Sequence, residues 1–130
     1  MKFIIKTTLI TISALLVSFF LPWWGMCIPA FIIPFFFVSS PKRSFSSRKK
    51  EISGLSFLSG FIAGLLVWGG AAAYQNYGNG SVLGKRIAEL ITQSPQPIYA
   101  ILISAVLGGL ICAFPAMTGA YLATMLKEKK

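Results

Sequence analysis

Residues 52–74 read ISGLSFLSGFIAGLLVWGGAAAY, a continuous stretch without a charged side chain. About 20 apolar residues are enough for a helix to cross the hydrocarbon layer of a bilayer, because a helix rises about 1.5 Å per residue. Small residues recur every four positions at Ser56, Gly60 and Gly64, and residues four apart share one helix face. The stretch therefore predicts a transmembrane helix with a smooth face that another backbone approaches closely.

The composition of the whole chain agrees with this prediction. Of its 130 residues, 55% are hydrophobic and 12% are charged, whereas soluble domains carry charges at about a quarter of positions. So few charges do not cover the large surface of a small soluble domain. We predict an all-α membrane protein, a single membrane domain over residues 1–130, with four transmembrane helices arranged as two helical hairpins. The approximate spans are 3–21, 24–40, 52–74 and 98–126.

The first apolar segment has two interpretations. Lys2 and Lys6 at its start are also typical of a signal peptide. However, the bulky sequence Phe19–Trp24 occupies the position where a small-residue cleavage site is expected. We therefore expect a retained helix that ends at Pro22, whose ring removes a backbone hydrogen-bond donor.

The second apolar segment also has two interpretations, because it is short and contains Pro29 and Pro34. It is either a kinked span or a re-entrant segment that returns to the side it came from. The segment 41–51 that follows is strongly basic, whereas the turn 22–25 before it has no charge. A hairpin puts the N-terminus and the basic loop on one side of the membrane, so the charges favour a full crossing.

The distribution of basic residues predicts the orientation. Of the 12 lysines and arginines, all but Lys85 and Arg86 belong to the two termini and the loop 41–51. The positive-inside rule then makes both termini and this loop cytoplasmic. In the loop we expect five residues to contact anionic lipid headgroups: Lys42, Arg43, Arg48, Lys49 and Lys50. The same topology brings six aromatic residues near the outer interface: Trp23, Trp24, Trp68, Tyr74, Tyr77 and Tyr99.

The outer loop 75–97 predicts a turn followed by a short amphipathic helix. Gln75–Gly80 is rich in turn residues, and Ser81 is suited to an N-cap. Between residues 82 and 91 the apolar side chains follow helical spacing. Two interpretations stay open: an interfacial helix lying on the outer membrane face, or a helix that caps the bundle.

The fourth apolar segment repeats the pattern of small residues and adds a proline. Its small residues are Ser104, Gly108, Cys112, Ala116 and Ala120. This face packs either against the third span or against a partner subunit, and we favour packing within the chain. Pro115 denies the carbonyl of Ile111 its usual donor, a loss that the Thr118 hydroxyl or an adjacent helix is expected to compensate. We expect a static kink at Pro115 rather than a hinge or gate.

The sequence contains no pattern typical of catalysis or of cofactor or metal binding. There is no histidine, and the three carboxylates, Glu51, Glu89 and Glu128, lie outside the apolar segments. Lys6 is close enough to the end of its span to reach the headgroups. We expect Cys27 and Cys112 at depths two or three helical turns apart, too far for a disulfide. The net charge of +9 does not indicate nucleic-acid binding, because no soluble domain presents the charges.

Several short stretches resemble a group of small, uncharacterised four-span proteins of the bacterial inner membrane. They are Ser56–Phe61, Trp68–Gly70, Ser81–Leu83, Lys85–Ala88, Gly108–Gly109 and Thr118–Gly119. The resemblance implies four spans and a bacterial inner-membrane location, and it implies no activity.

These observations favour a non-catalytic accessory or assembly subunit that packs against other membrane proteins. Its expected partners are membrane lipids and either a larger membrane-protein complex or further copies of itself. The main alternative is a small homo-oligomeric channel or transporter, and a third is a membrane-stress or lysis-type protein.

Overall fold

The computed structural model describes residues 2–37 and 45–128, and within these ranges every regular element is helical. A 3-10 turn, Trp23–Met26, joins the first two helices. The five α-helices are α1 (Lys2–Phe20), α2 (Cys27–Phe37), α3 (Phe45–Gly78), α4 (Val82–Thr92) and α5 (Pro97–Glu128).

Three of the helices are long and apolar enough to cross a membrane. They contribute the segments Phe3–Phe20, Ser53–Gly78 and Pro97–Leu126, of 18, 26 and 30 residues. The segment Trp24–Phe37 is a shorter apolar helix. This architecture fits an all-α membrane protein.

The helices α3 and α5 form the central pair and make the most extensive helix–helix interface of the described residues. Gly60 lies against Cys112, Gly64 against Gly108, and Gly69 against Ala105, which lies further towards the start of α5. Successive contact positions along α3 meet residues with decreasing numbers on α5, so the two helices are antiparallel.

The other two apolar helices flank this pair, with α1 against α3 and α2 against α5. Since α1 and α2 also touch each other, the four helices surround one core. Its buried residues come from all four helices and the 3-10 turn: Ile10, Ala14, Met26, Ala30, Ala63, Val67 and Cys112.

The direction of α2 follows from its contacts along α5. Cys27 lies beside Ile111, and four residues later Phe31 lies against the backbone of Gly119. Phe35 packs against Ala120 and Ala123. The two helices therefore run in the same direction, and α2 runs back alongside α1.

The observed bounds of α3 differ from the predicted span 52–74. The helix begins at Phe45, so residues 45–51 of the predicted loop form its first turns. Serine, lysine, arginine and glutamate are tolerated in helices, and no proline interrupts them. At the other end α3 continues to Gly78, and the predicted turn moves to the residues around Gly80, whose φ of 59° suits glycine. Residues 38–40 of the predicted second span, and Lys42 and Arg43, lie outside the described residues.

Candidate functional site: the helix contacts and an outer pocket

The small residues of α3 and α5 meet in the central interface. A Cβ atom added to Gly60 would lie 2.6 Å from the carbonyl oxygen of Cys112 and 2.7 Å from the Cβ of Ala116. A Cβ atom added to Gly64 would collide with the carbonyl group of Gly108. The smooth faces of both helices are therefore covered by each other over this region.

The remaining predicted packing residues have other neighbours. Ser56 is buried and accepts a hydrogen bond from α1, and Ala120 packs against Phe35 of α2. Ser104 is half-buried and lines a pocket near the start of α5. The predicted stripe on α5 thus contacts both α3 and α2 and also reaches the pocket.

Pro115 lies inside α5, which continues through it to Glu128. The Thr118 hydroxyl donates to the carbonyl oxygen of Phe114 at 2.9 Å, so it does not compensate for the proline. Instead, the Cys27 thiol of α2 donates to the carbonyl oxygen of Ile111 at 3.7 Å. That oxygen is the acceptor that Pro115 leaves without a backbone donor. An adjacent helix therefore supplies the missing bond.

The expected separation of the two cysteines is wrong. Because the Cys27 thiol reaches Ile111, it lies at the depth of the residue next to Cys112. Both thiols are free. The expectation rested on placing Trp23 and Trp24 near the outer interface. In the structure Met26, at the end of their 3-10 turn, accepts a hydrogen bond through its sulfur from the Trp68 indole at 2.8 Å, and Trp68 lies against Gly108, one helical turn from Cys112.

Lys6 has a partner inside the helix bundle. Its Nζ donates a hydrogen bond of 3.0 Å to the Ser56 hydroxyl, which ties α1 to α3. The Ser59 hydroxyl in turn donates to the carbonyl oxygen of Ser56 at 2.9 Å. The lysine therefore contacts a residue that was selected from the sequence only as a small packing residue.

A pocket of about 110 Å³, called the outer pocket because it borders the predicted outer loop 75–97, lies between the end of α3, the helix α4 and the first turns of α5. Its polar lining comes from Gln75, Asn76, Asn79 and Ser104. The Asn76 side chain is buried, and its Nδ2 donates to the Ser81 hydroxyl at 3.0 Å. Its Oδ1 is buried and has no hydrogen-bond partner.

Ser81 occupies the predicted N-cap position, and its carbonyl oxygen accepts from the Lys85 N–H at 3.1 Å, but its side chain does not cap the helix. Its backbone has φ 63° and ψ 14°, and its hydroxyl makes no capping hydrogen bond. An N-cap residue needs an extended backbone to turn its hydroxyl towards the free N–H groups of the helix. In the left-handed conformation the Ser81 hydroxyl accepts from Asn76 instead.

Gly84 allows Asn76 to approach α4. A Cβ atom at Gly84 would collide with the Asn76 Oδ1 and would lie 3.0 Å from the Cβ of Pro97. Neither Asn76 nor Gly84 is predicted as a site residue from the sequence. The feature of the sequence that could have indicated Asn76 is its position as an asparagine at the carboxyl end of an apolar helix, just before the turn that contains Gly80.

The helix α4 packs on the bundle through small residues and leaves its large apolar residues exposed. Gly84 and Ala88 are buried. Five large apolar side chains on α4 are exposed: Val82, Leu83, Ile87, Leu90 and Ile91. The helix α4 touches the bundle, as expected of a helix that caps it. It also presents an apolar face, as expected of an interfacial helix.

Among the described residues there is no group of three or more histidine, cysteine, aspartate or glutamate side chains able to hold a metal ion. No protein-family model, no curated protein and no solved structure matches the chain.

Proposed function

We propose that the chain is a non-catalytic, four-span protein of a bacterial inner membrane that serves as an accessory or assembly subunit of a larger membrane-protein complex. The observation that carries this proposal is the filled interior of the bundle. The core residues from all four apolar helices are small or apolar and almost fully buried. Contacts with other molecules therefore fall to the outer faces and to the two polar ends.

The direction of α2 supports four spans over a re-entrant second segment. Cys27 lies at the level of Ile111, and Phe35 lies near Ala123, close to the carboxyl end of α5. A re-entrant segment would turn back before reaching that end. The segment Trp24–Phe37 is about 21 Å long, and a short span crosses where the bilayer thins or where flanking residues reach the headgroups.

The distribution of charge supports cytoplasmic termini. Of the 12 basic residues, Lys85 and Arg86 on α4 are the exceptions to the basic ends and loop. In this orientation the outer pocket faces the periplasm. The basic residues of segment 41–51 face the cytoplasm, where they bind anionic lipid or an acidic partner.

The topology is testable by labelling introduced cysteines with a membrane-impermeant maleimide. Asn79→Cys is expected to react in intact spheroplasts, because Asn79 is exposed in the outer turn. Lys2→Cys and Ser47→Cys are expected to react only after the membrane is permeabilised. The unmodified chain, with Cys112 buried and Cys27 half-buried, provides the background signal. Labelling of Lys2→Cys and Ser47→Cys from opposite sides would contradict the four-span topology.

The packing inside the bundle favours an accessory subunit over a channel formed by one chain. A conduction pathway needs polar groups or a water-filled passage, because each unsatisfied polar group in hydrocarbon costs several kcal/mol. Here Gly60, Gly64, Gly108 and Cys112 close the space between α3 and α5. A homo-oligomeric channel would have its pore between copies of the chain, and co-purification distinguishes such a channel from an accessory subunit.

The decisive experiment is co-purification from native membranes. A C-terminally tagged chain is expressed at its native level, extracted into a mild detergent, and its companions are quantified by mass spectrometry. We expect at least one larger membrane protein at constant stoichiometry. A homo-oligomer without other proteins would overturn the accessory-subunit proposal and would make ion flux in liposomes the next measurement.

Surface variants give this experiment a matched control. Leu66 on α3, Leu107 on α5 and Leu16 on α1 are all exposed and lie on different helices. Replacing each leucine by tryptophan enlarges one face without disturbing the core. We expect one of the three variants to lose the companion while retaining its expression level, and the other two to retain it.

A further inference from the structure

The exposed side of α4 is divided into an apolar stripe and a polar face. Four exposed residues follow the spacing of side chains that share one side of a helix, and we call them the apolar stripe: Leu83, Ile87, Leu90 and Ile91. Gly84 and Ala88, which are buried against the bundle, lie beside this stripe. The stripe is a large exposed apolar surface, which indicates contact with another molecule or with lipid.

Contacts along α3 show the level at which α4 lies. Met26, at the end of the turn between α1 and α2, accepts a hydrogen bond from Trp68. Ala72, one helical turn further along α3, lines the same pocket as Ile87 of α4. The stripe is therefore about 6 Å beyond the turn of the first hairpin, since a helix rises about 1.5 Å per residue. In a four-span protein that turn marks the outer edge of the hydrocarbon layer, and the headgroup region extends about 5–8 Å further.

Two tyrosines near the end of α3 match the same depth. Tyr74 and Tyr77 are 82% and 81% exposed, three residues apart on the part of α3 that follows Ala72. Tyrosine is enriched at membrane–water interfaces because its ring is apolar and its hydroxyl is polar. Exposed tyrosines beside α4 therefore favour lipid over water as the surroundings of this end of the bundle.

The charges of α4 indicate which lipids cover it. Lys85 and Arg86 are exposed and do not belong to the apolar stripe, and they outnumber Glu89, the one acidic residue of the helix. Amphipathic helices in membrane surfaces carry such basic residues on the polar face, where they attract the phosphate groups of anionic lipids. An apolar stripe at headgroup depth with basic residues outside it thus matches an anionic lipid surface.

We infer that α4 inserts its apolar stripe into the outer leaflet beside the bundle and that Lys85 and Arg86 bind the phosphate groups of anionic phospholipids there. The inference rests on the proposed four-span topology and is independent of the subunit role. It makes α4 the part of the chain through which the lipid composition of the outer leaflet acts on the protein.

The test uses a fluorophore attached to single introduced cysteines in the full chain, in nanodiscs. Leu90→Cys and Ile91→Cys report the stripe, whereas Lys85→Cys and Glu89→Cys report the polar face. The native thiols are replaced by Cys27→Ser and Cys112→Ala, or, if that background does not fold, the signal of the labelled native chain is subtracted. We expect nitroxides on lipid tails to quench the two stripe positions and aqueous iodide to quench the two polar positions.

Two exposed positions calibrate the quenching. Leu66→Cys, on the membrane-spanning part of α3, is the reference for lipid, and Asn79→Cys, in the outer turn, is the reference for water.

The preference for anionic lipid is measured with the same label at Leu90→Cys. Nitroxide-bearing phosphatidylglycerol is compared with nitroxide-bearing phosphatidylcholine at equal mole fraction. We expect phosphatidylglycerol to be enriched near α4 by about fivefold or more, since each basic residue at an anionic surface contributes about that factor. Lys85→Gln together with Arg86→Gln is expected to abolish the enrichment, whereas Glu89→Gln, which removes a charge of opposite sign on the same helix, is expected to retain it.

Three results would overturn the inference. Quenching of the stripe by iodide, with Leu66→Cys still quenched by lipid, would show an inserted chain whose α4 lies in water. Protection of the stripe from both quenchers would show that a protein covers it, such as a second copy of the chain. Equal enrichment of the two lipids would show that Lys85 and Arg86 do not bind phosphatidylglycerol. Each of these results leaves the co-purification experiment unaffected, so failure of this inference is distinguishable from failure of the proposed function.

Discussion

Cys27 and Pro115 are distant in the sequence, yet both act on the carbonyl group of Ile111. Pro115 removes the donor that this carbonyl has in a regular helix, and Cys27 supplies one from α2. Within an apolar interior an unpaired carbonyl is unfavourable. The thiol therefore links the region of α5 around Pro115 to α2, which favours the expected static kink over a hinge.

This link predicts coupling between the two residues. Cys27→Ala is expected to destabilise the folded chain by about 0.5–1 kcal/mol, since interhelical hydrogen bonds in membranes average about 0.6 kcal/mol. In a Pro115→Ala background the backbone again supplies the donor, so the cost of Cys27→Ala is expected to fall. Unfolding of the two single variants and the double variant in mixed micelles measures this coupling.

The double-mutant cycle contains its own control for packing. The volume lost in Cys27→Ala is the same in both backgrounds, so it cancels in the cycle. Cys27→Ser restores a donor and is expected to recover part of the stability. An equal cost of Cys27→Ala with and without Pro115 would show that the thiol does not serve the Ile111 carbonyl.

Asn76 and Ser81 form the second residue-level feature. Ser81 has a positive φ, which is uncommon for residues other than glycine and costs free energy. Its backbone N–H donates to the Asn76 carbonyl at 2.8 Å, and its hydroxyl accepts from the Asn76 side chain at 3.0 Å. The two bonds fix the direction of the Asn76 amide and so the geometry of the outer pocket.

At the scale of helices, the spacing between α3 and α5 depends on glycine. Lipid solvates apolar side chains as well as protein does, so helices associate in a bilayer largely through close packing. Gly60 and Gly64 bring the backbones together where any side chain would clash. Phe57 and Phe114 then meet edge to face across the same pair of helices, with ring centroids 5.7 Å apart.

Two glycines of α3 make a matched prediction. Gly60→Ala is expected to destabilise the bundle by about 1–3 kcal/mol, because the new methyl group forces α3 and α5 apart. Gly70→Ala introduces the same group where no atom lies within 4 Å, and it is expected to be neutral or to stabilise α3 by up to about 1 kcal/mol.

Titration with denaturing detergent, followed by circular dichroism, compares the two variants. Both substitutions raise helix propensity equally, so their difference reports the interface alone. A Gly60→Ala variant as stable as Gly70→Ala would contradict the close contact with Cys112 and Ala116.

At the scale of the molecule, the bundle consists of two units joined by residues 38–44. One unit contains α1 and α2, and the other contains α3, α4 and α5. The core holds residues from both units, and the bonds from Lys6 to Ser56 and from Cys27 to Ile111 connect them. The two units are therefore in direct contact through their helices.

This arrangement predicts that the chain reassembles from two pieces. Residues 1–40 and 41–130, expressed together, are expected to co-purify because the helices of one piece pack against those of the other in a shared core. Ala63→Leu in the second piece is expected to abolish co-purification, because Ala63 is fully buried in the shared core. Ala71→Leu, at an exposed position of the same helix, is the control and is expected to have no effect.

Recovery of the two pieces separately, with each still in the membrane, would contradict the shared core. Loss of co-purification in both alanine variants would point instead to an effect on the insertion of α3.

The sequence predicted most of the helical architecture but only part of the contacts. The long apolar segments correspond to α1, α3 and α5, and the short amphipathic segment corresponds to α4. The depth of Cys27 was predicted wrongly, and Ser81 occupies the predicted N-cap position without the side-chain hydrogen bond expected there. Both differences arose because a helix end was assigned from local residue preferences, whereas the contacts of Met26 with Trp68 and of Ser81 with Asn76 decided the local geometry.

The sequence alone predicts a helical and apolar chain, and it carries the charge asymmetry from which an orientation is predicted. These properties depend on segment length, hydropathy and residue spacing, which are local. Only the folding of the complete chain brings the Cys27 thiol to the Ile111 carbonyl and Lys6 to Ser56, and buries the Asn76 Oδ1 without a hydrogen-bond partner. These contacts join residues of different helices or depend on how α4 lies across α3 and α5, and only the packing of complete helices brings such residues together.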